Sequence, residues 1–246
     1  MTHTQNITRP PKHLVAALKE IGSATIASEL YFLGIRNVAI TGPRSYTPGR
    51  VSAGPALTLQ FMPMREDMFG AAEYDDPEKQ LHRHVLYHAE AGDMVLIDAR
   101  GDMTSGIFGE MMMAYFAGVG GEGVVIDGCI RDSDKACSMG PGVWLRGTTP
   151  NFHAQTNIFP FAVNVPIACG GVFVMPGDIV VADNDGAVVV PVALAEKVVE
   201  EGRKHADWEV FSRLRLSEGG DMRKYYPLRA DAEAEYLAWR AAQARG

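Results

Sequence analysis

The chain has 246 residues, of which 47% are hydrophobic and 22% are charged, an ordinary mixture for a globular protein. This length fits one large domain, or one domain with appendages, and it allows a sizeable buried core. The formal charge of −7, with no dense basic run, argues against binding to nucleic acid or to an anionic membrane surface. Apolar stretches are interrupted well before the roughly 20 residues that span a bilayer, which argues against a membrane protein.

The cysteines and the N-terminal residues bear on the cellular compartment. Cys129, Cys137 and Cys169 are widely spaced and form no CxxC pair, which argues against both a disulfide framework and a zinc site. The first thirteen residues, MTHTQNITRPPKH, contain no apolar segment of the kind found in a secretory signal. We therefore expect a cytoplasmic protein.

The N-terminal third alternates helical and extended patterns. Apolar residues recur at helical spacing on both sides of Gly22-Ser23, whereas the run AGPALTLQFM alternates as a strand does. The predicted elements up to residue 90 are a mobile arm (1–12), two helices (13–33), a strand (53–62), a loop (63–76) and a helix (about 77–90).

The middle of the chain is the most informative part. Asp93–Asp98 and Gly123–Asp127 are apolar runs typical of buried strands, and Phe108–Ala117 between them is typical of a helix. A strand, a helix and a strand within such a short segment predict a right-handed parallel βαβ unit.

The remainder predicts short strands followed by helices. Asp185-Gly186 is a hairpin signal within this part of the chain. The predicted strands are Gly142–Arg146, Ala162–Ala168, Gly171–Met175, Ile179–Ala182 and Asp185–Pro191, and Ala193–His205 is predicted to be helical. Residues 91–98 and 176–183 share the pattern Gly-Asp followed by an apolar run, which we interpret as a convenient turn before a buried strand.

Two neighbouring loops are predicted to carry the chemistry, because ligands of α/β sheets bind beyond the carboxyl ends of parallel strands. The loop 99–109 leads to the start of the predicted helix at Glu110, where glycines and free N–H groups favour a carboxylate or a phosphate. The loop 128–134 carries Arg131 beside Asp132. We expect the two loops to lie side by side.

The residue types on these loops fit anion binding and a hard divalent metal. Arg131 can hold a carboxylate through two hydrogen bonds or stabilise an enolate oxygen. Asp132 and Glu110 offer oxygen ligands that suit Mg²⁺ or Mn²⁺, and such an ion would keep several waters. Spacing alone leaves a structural alternative open, in which Arg131 and Asp132 cap a loop and Glu110 is a favourable first-turn acid.

A series of motifs carries a family resemblance. They are GSATIASELYFLGI from Gly22, Gly54-Pro55-Ala56, GDMVLIDARGD from Gly92, GEMM at 109–112, GVVIDGCIRD at 123–132, RGTTP at 146–150, NVPIACGG at 164–171 and PGDIVVADNDGAVVVP at 176–191. In this order they resemble the RraA-like family, which includes the class II (metal-dependent) 4-hydroxy-4-methyl-2-oxoglutarate aldolases and the regulator of ribonuclease activity A. Family enzymes share an acidic residue followed twenty-one positions later by Arg-Asp. Glu110 and Arg131-Asp132 match this spacing, with Glu where many members have Asp.

The resemblance implies a fold and an assembly. The fold is α/β, of the swivelling β/β/α type, an αββα sandwich. Residues 13–207 would form this domain, and residues 208–246 would form a helical C-terminal extension that contributes to an interface. Family members form trimers, sometimes stacked as hexamers, so we expect a homo-oligomer.

The resemblance also implies a role for each site residue. The backbone cradle for a pyruvate-type carboxylate would be formed by Gly109, Glu110, Met111 and Met112. Arg131 would bind the keto oxygen or the carboxylate, Asp132 would ligate Mg²⁺ or Mn²⁺, and Glu110 and Arg131 would be the catalytic residues. The implied activity is a lyase that cleaves a 4-hydroxy-2-oxo acid through a pyruvate enolate, with oxaloacetate decarboxylation as a related activity. The alternatives are a regulatory binding protein that inhibits a ribonuclease without a required metal, or a lyase for an unusual sugar acid.

Other candidate residues have simpler interpretations. We expect His82, His84 and His88 to lie on a solvated helix face, and Cys129 to be buried as a small apolar residue. Asp98 and Asp102 could join a water network or only satisfy turn amides.

The aromatic tail from Trp208 could form a subunit interface or fold back on its own subunit. An acid from a neighbouring subunit is implied by the family, and Glu200, Glu201 and Glu209 lie in the matching region.

Overall fold

The chain folds around one large mixed sheet with helices on its faces, as described by a computed structural model for residues 4–69, 76–152 and 157–243. The helices are α1 (Lys12–Ile21), α2 (Ser23–Phe32), α3 (Leu81–Tyr87), α4 (Glu110–Gly118), α5 (Ser133–Ala136), α6 (Ala195–Ser217), α7 (Met222–Tyr225) and α8 (Ala230–Gln243). The strands are β1 (Ala39–Ile40), β2 (Arg44–Ser45), β3 (Ser52–Pro63), β4 (Met94–Asp98), β5 (Gly123–Ile130), β6 (Gly142–Thr148), β7 (Ile158–Val163), β8 (Ile167–Cys169), β9 (Val172–Val174), β10 (Ile179–Ala182) and β11 (Ala187–Val190). Short 3-10 helices occupy Pro77–Lys79 and Val192–Leu194.

β3 organises the sheet, whose strand order is β1-β11-β10-β3-β4-β5-β6-β2. Its first residues pair with β10, its middle with β4 and its last residues with β7. The run β3-β4-β5-β6 is parallel, and the other pairings are antiparallel. The predicted parallel unit β4-α4-β5 and the predicted hairpin of β10 and β11 are both confirmed.

Both faces of the central strands are covered, which explains why β4 is apolar from Met94 to Ile97 instead of alternating. Val95 and Ile97 point into a core shared with α3 and α4, whereas Met94 and Leu96 point into a core shared with the β8–β9 hairpin and Trp144. A third core lies between α1, α2 and α6 and the strands β10 and β11. This layered mixed α/β arrangement confirms the predicted fold class.

Three predicted elements differ from the structure. The helix expected over about 77–90 is a 3-10 helix over Pro77–Lys79 followed by α3, which ends at Tyr87. The strand expected over Ala162–Ala168 is divided between β7 and β8, because Asn164 adopts a left-handed conformation with φ of 52° that interrupts an extended chain. The helix expected to end at His205 continues as α6 to Ser217, so the domain boundary expected at residue 208 falls inside a continuous helix. The loop expected over 63–76 is described only in part, since residues 70–75 lie outside the described residues.

The aromatic residues of the C-terminal segment contact one another within the chain. Phe211 is fully buried, and its ring centroid lies 6.0 Å from that of Tyr225, 5.7 Å from that of Tyr236 and 5.6 Å from that of Trp239. These contacts join α6, α7 and α8 and correspond to the alternative in which the tail packs on its own subunit. Within the described ranges, none of the helices is long and apolar enough to cross a membrane.

The described part of the N-terminal arm is anchored, which differs from the mobile arm expected for residues 1–12. The guanidinium of Arg9 donates to Asp93 Oδ2 at 2.7 Å and to the carbonyl of His88 at 2.8 Å, and it pairs with Glu90 at 3.0 Å. Thr4 Oγ1 lies 2.7 Å from His88 Nε2. The arm is held because it supplies the cation for an Asp93 carboxylate that is only 1% exposed.

The repeated Gly-Asp pattern forms the same turn twice. Gly92 and Gly177 have φ of 92° and 91°, and the carboxylates of Asp93 and Asp178 each accept an N–H from three residues earlier, at 2.8 and 2.9 Å. Burial raises the pKa of Asp178, which lacks the arginine that Asp93 has. The two turns precede β4 and β10, the strands on either side of β3.

We predict that Arg9→Ala lowers the free energy of unfolding by about 2–3 kcal/mol, because it leaves the buried Asp93 carboxylate without its cation. Urea denaturation followed by circular dichroism measures this change. Arg65→Ala is the control, since its ion pair with Asp67 is exposed and should have no measurable effect. Equal stability of the Arg9→Ala variant and the unmodified protein would contradict the anchoring role.

Candidate active site

A cavity of about 510 Å³ opens at the carboxyl ends of β4 and β5, beside α3 and the start of α4. Such a volume fits a small organic ligand. The lining residues are His82, Arg83, Leu86, Tyr87, Gly106, Ile107, Phe108, Gly109, Glu110, Met111, Met112, Tyr115, Arg131, Asp132 and Phe152. The structure therefore brings together in one cavity every site residue predicted from the sequence.

Backbone hydrogen bonds hold the two predicted loops side by side. The N–H of Ile107 donates to the carbonyl of Cys129, and the N–H of Arg131 donates to the carbonyl of Phe108, both at 3.0 Å. Gly106 continues this contact by donating to Asn151 at 3.0 Å, and a Cβ on Gly106 would lie only 2.1 Å from that carbonyl oxygen. Glycine is therefore required at position 106 for this close approach.

The start of α4 offers free backbone donors to the cavity. The first intrahelical bond runs from the N–H of Met113 to the carbonyl of Gly109, so the preceding N–H groups have no partner within the helix. Those of Glu110, Met111 and Met112 lie at the positive end of the helix dipole, where a carboxylate is stabilised. α4 has nine residues, and the cationic side chain of Arg131 lines the same cavity.

Arg131 and Asp132 sit directly against Gly109. Arg131 Nε lies 3.6 Å from Asp132 Oδ2, and the two side chains are 46% and 45% exposed. A Cβ on Gly109 would lie 2.8 Å from Asp132 Oδ2 and 3.1 Å from Arg131 Nε. Asp132 is left-handed, with φ of 53°, a conformation that Asp and Asn tolerate better than most residues. The pair is half-open to solvent and is therefore available to a ligand.

Glu110 has a partner that the sequence analysis missed. Lys135 Nζ donates to Glu110 Oε2 at 2.8 Å, and this hydrogen bond raises the pKa of Lys135. Lys135 follows Arg131 by four residues, and its position on α5, which packs against α4, brings it to Glu110. The carboxylate of Glu110 is thus held by Lys135, whereas that of Asp132 lies 3.6 Å from Arg131 Nε and also helps to raise the pKa of Lys135.

The donor set fits a hard divalent ion better than a soft one. Within the described ranges, no group of three or more His, Cys, Asp or Glu residues could hold a metal ion by itself. The cavity offers instead the carboxylates of Asp132 and Glu110. One or two carboxylates with several retained waters is a usual arrangement for Mg²⁺, and it differs from the closed four-ligand sites of structural Zn²⁺.

One face of α3 forms a wall of the cavity that the sequence analysis did not predict. His82, Arg83, Leu86 and Tyr87 recur at helical spacing and line the cavity, a periodicity that could have indicated a common face. His82 is buried, which differs from the solvated histidine face expected. The reason is that Val85 and Leu86 pack into the core and turn this part of α3 inward.

The remaining candidates from the sequence are not among the residues that line this cavity, namely Cys129, Asp102 and Asp98. Cys129 is buried, and desolvation raises the pKa of its thiol, which confirms its interpretation as a small apolar residue. Asp102 accepts hydrogen bonds from the N–H groups of Thr104 and Ser105, as a turn aspartate does. Asp98 is buried, burial raises its pKa, and it accepts the N–H of Arg100.

The three C-terminal glutamates are not among the residues that line the cavity of their own chain. Glu200 and Glu201 pair with Lys197 and Lys204 along α6. Glu209 Oε1 lies 3.2 Å from Nε2 of His205.

The fold and the site together define a mixed α/β protein whose cavity, at the carboxyl ends of parallel strands, is lined by a helix N-terminus, an arginine and two carboxylates. The chain belongs to the RraA-like family, described as Aldolase/RraA, whose profile matches residues 23–189. A relative from Halalkalibacterium halodurans, named "Putative 4-hydroxy-4-methyl-2-oxoglutarate aldolase", is 39% identical over 130 residues, which are 52% of this chain and 61% of the relative. A Pseudomonas aeruginosa protein of the same name is 35% identical, and the match covers 60% of this chain and 95% of that protein.

Solved structures with the same fold include two that cover most of the chain. RraAS2 of Streptomyces coelicolor is described as an unusual member of the RNase ES inhibitor RraA protein family. It is 43% identical with a TM-score of 0.77, and the match covers 85% of this chain and 99% of that one. An uncharacterized protein of Pseudomonas syringae is 24% identical to this chain, with a TM-score of 0.77. The match covers 93% of this chain and 100% of that one, and at this identity it shows the fold alone.

We predict that Gly109→Ala weakens binding of oxalate, a small dicarboxylate, by about tenfold in the presence of Mg²⁺, because the new methyl group displaces Arg131 and Asp132. Thermal stability should change little, since the displaced atoms belong to half-exposed side chains. Titration calorimetry and a melting curve measure the two quantities. Gly118→Ala is the matched control, because a Cβ there has no neighbour within 4 Å. Unchanged oxalate affinity in Gly109→Ala would contradict the proposed packing of the site.

Proposed function

We propose that the protein is a divalent-metal-dependent lyase that cleaves a 4-hydroxy-2-oxo acid and releases pyruvate, with oxaloacetate decarboxylation as a related activity. The observation that carries the proposal is the contact of Arg131 and Asp132 with Gly109 at the N-terminus of α4. It supplies a cationic group, a carboxylate and free backbone donors within one cavity. The aldolase names of the relatives support this choice of reaction.

In this proposal the N-terminus of α4 and Arg131 bind different atoms of the substrate. The N–H groups of Glu110, Met111 and Met112 hold the C1 carboxylate of the substrate. The guanidinium of Arg131 donates to the C2 oxygen, on which negative charge develops as the C3–C4 bond breaks. Mg²⁺ or Mn²⁺ held by Asp132 would supply further stabilisation of that charge.

The proposal assigns a proton transfer to the carboxylate of Glu110. It lies at the same helix end, and its contact with Lys135 fixes its position at the rim. We propose that Glu110 takes up the proton of the C4 hydroxyl through a water, and that its hydrogen bond to Lys135 keeps it oriented during the transfer.

The first test measures pyruvate released from oxaloacetate and from a panel of 4-hydroxy-2-oxo acids, with Mg²⁺ or Mn²⁺ and after chelation. We expect activity that requires the ion, and we expect Asp132→Asn to lose more than about nine-tenths of it. Asparagine tolerates the left-handed backbone at this position, so the variant changes the charge without adding strain. Metal-independent activity, or an Asp132→Asn variant as active as the unmodified protein, would overturn the metal assignment.

Arg131→Lys tests the enolate contact separately. We expect kcat to fall by about 100-fold with a smaller change in KM, because a lysine ammonium cannot replace the two parallel donors of a guanidinium. Steady-state kinetics of pyruvate release distinguishes the two parameters. If KM rises while kcat is unchanged, Arg131 only anchors the ground state and has no part in stabilising the enolate.

A second candidate function is that of a regulatory protein that binds a ribonuclease. The resemblance to RraAS2 of Streptomyces coelicolor, at 43% identity over 85% of this chain, favours it. The same pyruvate assay separates the two candidates, because a regulatory protein has no need of turnover or of a metal. Full folding and absence of pyruvate release from every acid tested would favour the regulatory function.

We also propose that the protein acts as a homo-oligomer, a trimer or a hexamer. The end of α2 presents exposed apolar side chains that a subunit interface would cover, namely Tyr31, Phe32, Leu33 and Ile35. Light scattering of the purified chain measures the number of subunits directly.

A further inference from the structure

We infer that Lys135 keeps the carboxylate of Glu110 off the divalent ion, so that the ion binds tightly only together with an anionic ligand. Lys135 is then a positioning residue, which acts on the site through Glu110. The inference rests on the proposed function, because it concerns how the ion and the anion bind to the same cavity. It assigns a role to a side chain that is not among the residues lining that cavity.

One turn of the chain carries both Asp132 and Lys135 to the start of α4. The N–H of Lys135 donates to the carbonyl of Asp132 at 3.1 Å, so the two residues belong to the same helical turn. Asp132 Oδ2 would lie 2.8 Å from a Cβ on Gly109, and Lys135 Nζ lies 2.8 Å from Oε2 of Glu110, the next residue. Asp132 therefore faces the end of α4 without a lysine, whereas Glu110 is held by one.

The charges around the cavity oppose the binding of a divalent ion by itself. The described residues that line the cavity include two arginines, Arg83 and Arg131, and two carboxylates, Asp132 and Glu110. Lys135 adds a further positive charge beside Glu110. An ion that enters alone meets no surplus of negative charge, whereas an anion at the N-terminus of α4 supplies it. Each ligand should therefore strengthen the binding of the other, by the same factor.

Lys135 decides whether Glu110 takes part in holding the ion. The number of charged oxygen ligands sets the affinity of a site for a hard divalent ion. To recruit Glu110, the ion would have to break the contact with Lys135 and leave an ammonium group close to a dication. With Lys135 in place, Asp132 is the protein carboxylate on the ion, and Glu110 stays available for the proton. Loss of Lys135 should therefore tighten ion binding and slow turnover. Simple damage to the site would not change the two quantities in these opposite directions.

Direct binding of Mn²⁺ tests the inference without relying on turnover. Electron paramagnetic resonance measures free Mn²⁺, with and without saturating pyruvate as the anion. In the unmodified protein we expect pyruvate to tighten Mn²⁺ binding by about tenfold. Lys135→Gln should bind Mn²⁺ at least about fivefold more tightly without pyruvate, and pyruvate should then add less than about threefold. Lys135→Arg keeps a cation for Glu110 and should behave as the unmodified protein does.

The matched control is Lys197→Gln, which removes a lysine from an ion pair of α6 outside the cavity. Lys197 Nζ lies 2.7 Å from Glu201, which is 31% exposed, whereas the partner of Lys135, Glu110, is 30% exposed. Its substitution should leave Mn²⁺ binding unchanged.

A double-mutant cycle shows whether the effect of Lys135 passes through Glu110. In a Glu110→Gln background, Lys135→Gln should change Mn²⁺ affinity by less than about twofold, because no carboxylate is left to release. The same gain in affinity with and without Glu110 would show a general loss of repulsion and would overturn the inference. Unchanged Mn²⁺ affinity in Lys135→Gln, or no effect of pyruvate on the unmodified protein, would also overturn it.

Steady-state kinetics separates this inference from the proposed function. At saturating Mn²⁺ we expect Lys135→Gln to lower the kcat of pyruvate release at least about fivefold, because Glu110 is drawn to the ion. Ion-dependent pyruvate release with a Mn²⁺ affinity that does not respond to Lys135→Gln would refute the role of Lys135 and leave the lyase standing. Tighter Mn²⁺ binding by Lys135→Gln, with no pyruvate released from any acid by the unmodified protein, would refute the lyase and leave the role of Lys135 standing.

Discussion

The site depends on two backbone hydrogen bonds that join residues 107 and 108 to the end of β5. They bring the loop after β4 so close to the loop after β5 that a Cβ on Gly109 would lie 2.8 Å from Asp132 Oδ2 and 3.1 Å from Arg131 Nε. A helix N-terminus and an arginine from different parts of the chain thereby share one cavity. The N–H groups at the start of α4 are positioned by these backbone contacts, whereas the guanidinium of Arg131 reaches the cavity through its own side chain.

Two ion pairs lie around this junction, and their carboxylates differ in how tightly they are held. Lys135 engages Glu110 at the rim, whereas Asp132 remains half-exposed beside Arg131. Relatives in sequence carry the name of putative aldolases, and the solved structure of RraAS2 is described as an unusual member of the RNase ES inhibitor RraA protein family. Since one scaffold carries both names, the chemistry of individual side chains, and not the fold, decides between catalysis and binding.

The sequence predicted those features that follow from local pattern and from the geometry of parallel strands. The apolar runs of β4 and β5 and the helix between them are enough to predict that Gly109 and Arg131 lie together, because the carboxyl ends of neighbouring parallel strands meet at one edge. The two helices divided at Gly22 and the hairpin at Asp185-Gly186 are equally local features, and both are present.

Features that depend on distant contacts could not be predicted in this way. Arg9 and Asp93 are 84 residues apart, and no periodicity connects them. Helical spacing groups the cavity-lining residues of α3 on one face, but the direction in which that face turns depends on how Val85 and Leu86 enter the core. The partnership of Glu110 and Lys135 requires the packing of α4 against α5.

The left-handed backbone of Asp132 has an evolutionary consequence. At a φ of 53° the residues best tolerated are Gly, Asn and Asp, and both Asn and Gly codons are one nucleotide away from an Asp codon. With Asp132 as the proposed metal ligand, a single point mutation can therefore remove the metal while the surrounding loop keeps its shape. A lineage that loses catalysis in this manner retains an intact surface on which selection for a binding partner can act.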